Sequence, residues 1–269
     1  MKVNTAQLPG PCRSKDRVFT TVTAAIVLDG ATAFASVELD VSTYIDALGC
    51  YIATALRSAD RANLADVVSN AIAVVADRFE LRPRHSPSST VTILRTHHQY
   101  ADLFVLGDSP LYYGTGHQPT VLVDNRLADL DLPESRRYRG RLRDGSGYDD
   151  EHRTLLRRLQ QQQRLSRNID GGYWIAEADP AAAHHALTAT LSAHELSWAV
   201  LATDGIANPL KHLGRADWAT LATQSDRQLA GLLTIAHQWE RDDDPTGRHF
   251  PRAKCHDDKT IAAVPSVWL

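Results

Sequence analysis

The sequence has few cysteines, no long hydrophobic run and no large excess of either charge. Its three cysteines, Cys12, Cys50 and Cys255, are widely spaced and odd in number. This pattern argues against a disulfide framework and is typical of a protein in a reducing cytosol. No segment approaches the ~18 apolar residues that a membrane span requires, and the N-terminus lacks the apolar stretch of a secretory signal. We therefore expect a cytoplasmic protein with no membrane partner.

The composition is that of an ordinary folded protein. Hydrophobic residues make up 43% of the 269 residues and charged residues 23%, which excludes a disordered chain and a coiled coil. The net charge of -3 gives no reason to expect a nucleic-acid partner. No phosphate-cradling loop, dinucleotide fingerprint or G-x-S-x-G elbow is present, so nucleotide-driven and serine-hydrolase chemistry have no support. With no repeat and no clear linker, we predict one domain over residues 1–269, and its oligomeric state stays open.

Apolar runs alternate with helical patterns in an order typical of an α+β protein. The helical patterns include one that begins near Asn63 and one that covers Ser225 to Glu240. Connections in the middle of the chain are too short for helical crossovers, which favours antiparallel pairing. The predicted strands are Val18 to Leu28, Thr90 to Thr96, Ala101 to Leu106, Gly171 to Glu177, Ser197 to Thr203 and Thr260 to Val264.

Aspartates recur at the ends of the buried runs. Asp29, Asp108 and Asp204 each end such a run beside a glycine, and the pair Asp257-Asp258 precedes the last strand. A single Asp-Gly after a strand is typically only a turn. Buried carboxylates are costly unless compensated, however, and the recurrence favours compensation by hard divalent cations such as Mn²⁺ or Mg²⁺. Two such ions ~3.5–4 Å apart can activate a bridging water and clamp a phosphoryl group.

Six motifs in fixed order suggest a particular family. They are SKDRVF, IVLDGAT, SSTVTILRT, LFVLGDSPLYY, WAVLATDGIAN and DDKTIAAV, and they run from about residue 16 to about residue 264. This series resembles the metal-dependent serine/threonine protein phosphatases (PPM, type 2C) in a short bacterial form. The resemblance implies a four-layer α-β-β-α sandwich, with two antiparallel sheets face to face and helices outside each. It also implies two Mn²⁺ or Mg²⁺ ions, a possible third, and a phosphorylated protein as the substrate.

The resemblance further implies a set of site residues. Asp29 would bridge both ions, with the Gly30 carbonyl as a further ligand. Asp204 and Asp257 would bind the first ion, Asp16 would reach an ion through water, and Asp108 would be available to a third ion. The expected activity is hydrolysis of phosphoserine or phosphothreonine by a metal-activated water, without a phosphoenzyme. The full candidate set is Asp16, Asp29, Gly30, Asp108, Asp204, Asp257 and Asp258.

Departures from the family pattern leave a second interpretation open. Lys15 stands where the family usually has a glutamate, and Asp258 replaces the asparagine of the D-N-x-T/S signature, so Asp258 could be the ligand instead of Asp257. Arg13 lies near but not at the position of the phosphate-binding arginine of some relatives. The alternative is a catalytically weakened regulatory or binding module. It would recognise a phosphorylated or acidic partner through the stretch from Arg136 to Arg143, which we expect to be a solvated loop in the place of the family's variable flap.

Overall fold

Two antiparallel sheets form the centre of the computed structural model, which describes residues 1–10, 14–31, 39–58 and 61–268. Each sheet has five strands among these residues. The first sheet has the spatial order β1 (Asn4–Leu8), β10 (Lys259–Val264), β9 (Trp198–Ala202), β6 (Leu111–Gly114) and β7 (Thr120–Leu122). The second has the order β2 (Asp16–Thr20), β3 (Ala24–Asp29), β4 (Val91–His97), β5 (Tyr100–Leu106) and β8 (Leu187–Ser192).

Alternation along the central strands explains why the sheets stack. In β3, Ala25 and Val27 face the first sheet, whereas Ile26 and Leu28 pack under helices. In β9, Leu201 likewise joins the core between the sheets. Successive side chains of a strand point to opposite faces, so a strand that is apolar at every position is buried on both. Each sheet therefore requires a second sheet on one face and helices on the other.

Helices cover the outer face of each sheet and complete four layers. On the second sheet lie α1 (Val41–Ser58) and α2 (Leu64–Arg78). On the first sheet lie α6 (Asp204–His212), α7 (Trp218–Ala222) and α8 (Asp226–Asp242). A separate group contains α3 (Arg126–Asp129), α4 (Pro133–Arg143) and α5 (Asp150–Leu165). The predicted α+β class and the four-layer α-β-β-α sandwich are confirmed.

Local polar contacts set several element boundaries. The Asn63 side chain accepts a hydrogen bond from the Ala65 amide at 2.8 Å and caps α2, as its sequence position predicts. The run from Val18 to Leu28, predicted as one strand, is instead the hairpin of β2 and β3. The Thr21 hydroxyl oxygen accepts hydrogen bonds from the Thr23 and Ala24 amides, which stabilises the turn between them.

Two further predictions of local structure are wrong. The arginine-rich stretch is helix α4 rather than a loop, because Tyr138 and Leu142, one turn apart, pack against Leu155 of α5. The stretch from Gly171 to Glu177 is not a ladder strand and forms only isolated bridges, among them Ser89 with Ala176.

Cys50 and Cys255 are free thiols, while Cys12 and Arg13 lie outside the described residues. No described helix combines the length and hydrophobicity needed to cross a membrane.

Candidate metal centre

The second sheet brings two aspartates together at one edge. Asp16 begins β2 and Asp29 ends β3, and the antiparallel register places them directly opposite each other. Directly opposed residues on neighbouring strands have their Cβ atoms roughly 4.5–5.5 Å apart. Asp16 is buried, and Asp29 remains partly accessible. Like charges at this separation in a buried setting require a compensating cation or a proton.

The first sheet contributes two more aspartates to the same edge. Asp204 is the first residue of α6, directly after β9, and Asp257 precedes the neighbouring strand β10. Thr203 connects the two sheets here. Its hydroxyl donates to Asp16 Oδ2 at 3.0 Å and accepts from the Thr260 amide at 3.0 Å. Thr203 is a positioning residue that sequence reasoning missed, because a threonine beside an aspartate carries no distinctive signal.

The charges of these side chains act on one another's surroundings across the two sheets. Burial raises the pKa of Asp29 well above its usual value, and the negative charges of Asp16, Asp204 and Asp257 add to the rise. Burial also raises the pKa of Asp204 to about 7, with further contributions from Asp108 and Asp257. Folding therefore brings carboxylates from both sheets close enough to repel one another.

Hydrogen bonds only partly relieve the repulsion at Asp16. Burial raises its pKa to about 7, although the hydroxyl groups of Thr260 and Thr203 favour the charged form and act in the opposite direction. The neighbouring charges of Asp258 and Asp257 again raise it. A divalent cation bound between these groups would remove both the repulsion and the cost of burying their charge.

Asp257 and Asp258 have different surroundings. Asp258 Oδ2 accepts a hydrogen bond from the Lys15 backbone amide at 2.7 Å, so its side chain helps to hold β2 beside β10. Asp257 Oδ1 instead contacts the Lys254 ammonium at 2.5 Å. Of the pair, Asp257 alone contributes to the raised pKa of Asp29 and of Asp204. This geometry favours Asp257 as the candidate ligand.

Lys254 is a cation within the acidic group that sequence reasoning did not single out. Burial lowers the pKa of its ammonium, but Asp257, Asp29 and Asp204 outweigh burial and raise the pKa above its usual value. The charge of Lys254 in turn lowers the pKa of Asp29 and Asp204. Lys254 thus supplies part of the positive charge that these carboxylates require.

Two glycines allow the backbone to close around the site. A Cβ at Gly30 would lie 2.6 Å from the Lys15 carbonyl oxygen, and one at Gly205 would lie 1.9 Å from the Asp258 carbonyl oxygen. Neither distance is possible for a real side chain, so only glycine fits at either position. In both Asp-Gly pairs, the glycine is therefore required because another backbone segment lies directly against it.

Asp108 also contributes its charge to the acidic group. It follows β5, and its pKa is raised first by burial and then by Asp124 and Asp257, while a local backbone hydrogen bond acts in the opposite direction. Asp124 itself pairs with Arg126 at 2.5 Å. Asp108 in turn is the neighbouring charge that most raises the pKa of Asp204, so it belongs to the same acidic group.

A cleft of about 690 Å³ opens from the acidic group towards α4. Asp204 and Asp257 line it together with the cations Arg139, Arg143 and Lys211. Arg136 and Arg137 of the same helix form pairs with Asp131 and Glu134 instead. The arginine-rich helix therefore presents only part of its charge to the candidate centre.

The donor set fits hard divalent cations. All its side-chain donors are carboxylate oxygens, which Mn²⁺ and Mg²⁺ accept readily. Within the described part of the chain, no three of the aspartates bring one oxygen each within 4.8 Å of one another. The group is therefore not a closed cage for one ion, and Mn²⁺ and Mg²⁺ commonly keep several waters beside a few carboxylate ligands.

Comparison with solved structures identifies the architecture. MsPP, a PPM Ser-Thr phosphatase from Mycobacterium smegmatis, matches over 98% of each chain with a TM-score of 0.57 and 14% identity. The chain has the fold of the PPM serine/threonine phosphatases. The catalytic domain of the phosphatase PstP, solved with two manganese ions, matches over 97% of this chain and 96% of its own, with a TM-score of 0.52 and 12% identity.

A third solved phosphatase structure also matches the chain. The photosystem II phosphatase PBCP matches over 98% of each chain, with a TM-score of 0.57 and 12% identity. No protein-family model and no curated protein matches the chain. At these identities the comparisons show the PPM fold, and the activity has to be argued from the site.

Proposed function

We propose that this protein is a metal-dependent phosphatase that hydrolyses phosphoserine or phosphothreonine in proteins. The observation that carries the proposal is the convergence of Asp16, Asp29, Asp204 and Asp257, from both sheets, on one edge, where the charge of Asp257 raises the pKa of the other three. The resemblance to the PPM phosphatases implies that such a group provides oxygen ligands for two divalent cations. Solved PstP, which shares this fold, holds two manganese ions.

Each residue has a distinct role in the proposed mechanism. Asp29, Asp204 and Asp257 would hold Mn²⁺ or Mg²⁺, and the Gly30 carbonyl would complete the set. Asp16, oriented by Thr203, would accept hydrogen bonds from metal-bound water. When bound, the ions supply an activated water for in-line attack on phosphorus and offset the developing charge.

The cleft beside the centre supports a protein substrate. Arg139, Arg143 and Lys211 lie beside the acidic group and carry the charge that a phosphate and its acidic flanking residues would bind. Carboxylates and guanidinium groups therefore line a single cleft. A phosphoryl group could approach the centre from the arginine side, where its charge is complemented.

Substitution of the central aspartates tests the mechanism. Asp29→Asn and Asp204→Asn should each lower manganese-dependent hydrolysis of a phosphopeptide by at least about 100-fold, because each removes an anionic ligand. Asp77→Asn, at an exposed position of α2, is the matched control and should keep wild-type turnover. Circular dichroism verifies folding. Full activity in both central variants would eliminate the mechanism.

The contact between Lys254 and Asp257 supports a second candidate function. An ammonium 2.5 Å from a candidate ligand competes with metal ions, and Lys15 stands at the same edge where the resemblance to the PPM family leads us to expect a glutamate. The chain would then be a binding module for a phosphorylated or acidic partner. Titration calorimetry distinguishes the two: tight binding of two Mn²⁺ supports the enzyme. Phosphopeptide binding without Mn²⁺ binding at millimolar concentration supports the module.

A further inference from the structure

A second group of potential metal ligands lies on α8 and the segment before β10. Among the residues that the structure describes, His237, Glu240 and His256 each offer one ligand atom within 4.8 Å of the other two. His237 and Glu240 are three residues apart on α8 and therefore lie on the same face of the helix. His256 reaches them from a segment far along the chain, so only folding brings the three together.

The distances within this group are close to those of a zinc site. His256 Nδ1 lies 3.2 Å from Glu240 Oε2, and the His237 and His256 rings are 4.3 Å apart between centroids. Tetrahedral zinc with bonds of about 2.0–2.1 Å separates its ligand atoms by about 3.3 Å. Both histidines are partly exposed and can rotate by the small amount still needed, while Glu240 is buried and fixed.

We propose that His237, Glu240 and His256 form a Zn²⁺ site, separate from the aspartate centre, that fastens the segment before β10 to α8. Two imidazoles and one carboxylate match the preference of zinc, whereas an all-carboxylate set matches Mn²⁺ or Mg²⁺. Three protein ligands leave one coordination position for water. The chain would therefore bind two kinds of divalent ion, each at the site whose ligands it prefers.

The buried cation beside Glu240 is compatible with this site. Lys259 Nζ donates to Glu240 Oε2 at 2.8 Å and to the Asp257 carbonyl oxygen at 3.0 Å. A carboxylate has two oxygens with about four acceptor positions, so Glu240 can bind both Lys259 and an ion. Lys259 lowers the affinity through charge repulsion but holds the Glu240 carboxylate in place. Because His256 directly precedes Asp257, an ion at this site would also restrain the segment that carries the candidate aspartate ligand.

Cobalt substitution provides the test, because four-coordinate Co²⁺ with imidazole ligands absorbs visible light far more strongly than six-coordinate Co²⁺ with oxygen ligands. The full chain is first saturated with Mn²⁺ and then titrated with Co²⁺. We expect one strongly absorbing Co²⁺ per chain, displaced by one equivalent of Zn²⁺. His237→Asn and His256→Asn should each weaken Co²⁺ and Zn²⁺ binding at least about tenfold, while His194→Asn, an exposed control, should not.

Two further measurements make the result decisive. The strongly absorbing Co²⁺ should persist in Asp29→Asn, which separates this site from the aspartate centre and from the proposed activity. Zinc should raise the melting temperature of the manganese-saturated wild type but not that of His237→Asn. The proposal is overturned if wild type gives no such absorption, or if both histidine variants retain it unchanged while folded.

Discussion

Lys254 is the residue that most distinguishes this acidic centre. Its ammonium contacts Asp257 at 2.5 Å and lowers the pKa of Asp29 and Asp204. The protein therefore carries an internal positive charge where the proposed activity requires metal ions. A lysine at this position stabilises the metal-free state and so opposes metal binding through competition for the same carboxylates.

Removal of this ammonium should strengthen metal binding. Lys254→Met retains most of the aliphatic stem but not the charge, so the dissociation constant for Mn²⁺ should fall by roughly two- to tenfold. Titration calorimetry measures the change. Arg248→Met, which removes an exposed cation of the same segment, is the control and should have little effect. Weaker manganese binding in Lys254→Met would mean that Lys254 supports the centre instead of competing with it.

Gly205 is a residue whose importance comes from backbone contact. Because a Cβ there would lie 1.9 Å from the Asp258 carbonyl oxygen, Gly205→Ala should push α6 away from the segment before β10. We expect a loss of about 1–3 kcal/mol in the free energy of unfolding, together with weaker Mn²⁺ binding. Chemical denaturation provides the measurement.

The control for Gly205 is a glycine with space around it. Gly231 lies on an exposed position of α8, and nothing would contact its added Cβ within 4 Å. Gly231→Ala should therefore stabilise the protein by about 0.5–1 kcal/mol through reduced freedom of the unfolded chain. Equal effects of the two substitutions would refute the proposed contact.

At the scale of elements, the rotation of helix α4 about its axis decides which of its arginines line the cleft. Its apolar residues Tyr138 and Leu142 face α5, which fixes the rotation of the helix. With that rotation, Arg139 and Arg143 line the cleft beside the acidic centre, whereas Arg137 is 62% exposed and pairs with Glu134. In a solvated loop, by contrast, no helix rotation would separate arginines that line the cleft from those that do not.

The rotation of α4 leads to a kinetic prediction. Arg139→Ala and Arg143→Ala should each raise the KM for an acidic phosphopeptide by roughly three- to fivefold, the equivalent of about 0.6–1 kcal/mol for an exposed charge contact. The kcat should change little, because neither side chain holds the metal ions. Arg137→Ala, on the outer side of the same helix, is the control. A similar KM in all three variants would place the substrate elsewhere.

At the scale of the whole molecule, the buried aspartates couple stability to pH. The folded pKa values of Asp16 and Asp204 are about 7, and that of Asp29 is also raised, against an ordinary value of 3.8. Protons therefore bind the folded state more tightly than the unfolded state. The stability that these groups contribute is fully present below about pH 4 and is lost as pH rises towards about 7. Metal binding requires the charged carboxylates and so has the opposite dependence.

The increase in melting temperature caused by Mn²⁺ should therefore be larger at pH 8 than at pH 5. Differential scanning calorimetry with and without Mn²⁺ measures it at each pH. The Asp29→Asn variant removes one of the mutually repelling negative charges, so its metal-free form should melt above wild type at pH 8 and gain less from Mn²⁺. A manganese effect that is the same at both pH values would contradict this coupling.

Much of the fold could be predicted because its signals are local. Runs of apolar residues indicate strands buried on both faces, and Asn63 and Ser225 begin α2 and α8 through side-chain caps. Helix α4 was missed because its only apolar anchors are Tyr138 and Leu142 among many arginines. The break between β2 and β3 was missed because threonines favour both strands and turns.

The sequence by itself determined the α+β class, the strands that end in aspartate and the oxygen-rich chemistry of the candidate centre. The spacing of apolar residues and the identity of each residue can be read from short segments of the chain, which is why these features were predictable. Only the tertiary structure decided that Asp257 faces the acidic group while Asp258 binds the Lys15 amide. It also decided that Lys254 enters that group and that His256 meets α8. These contacts join segments distant in the chain, and their geometry depends on how the two sheets and their helices pack.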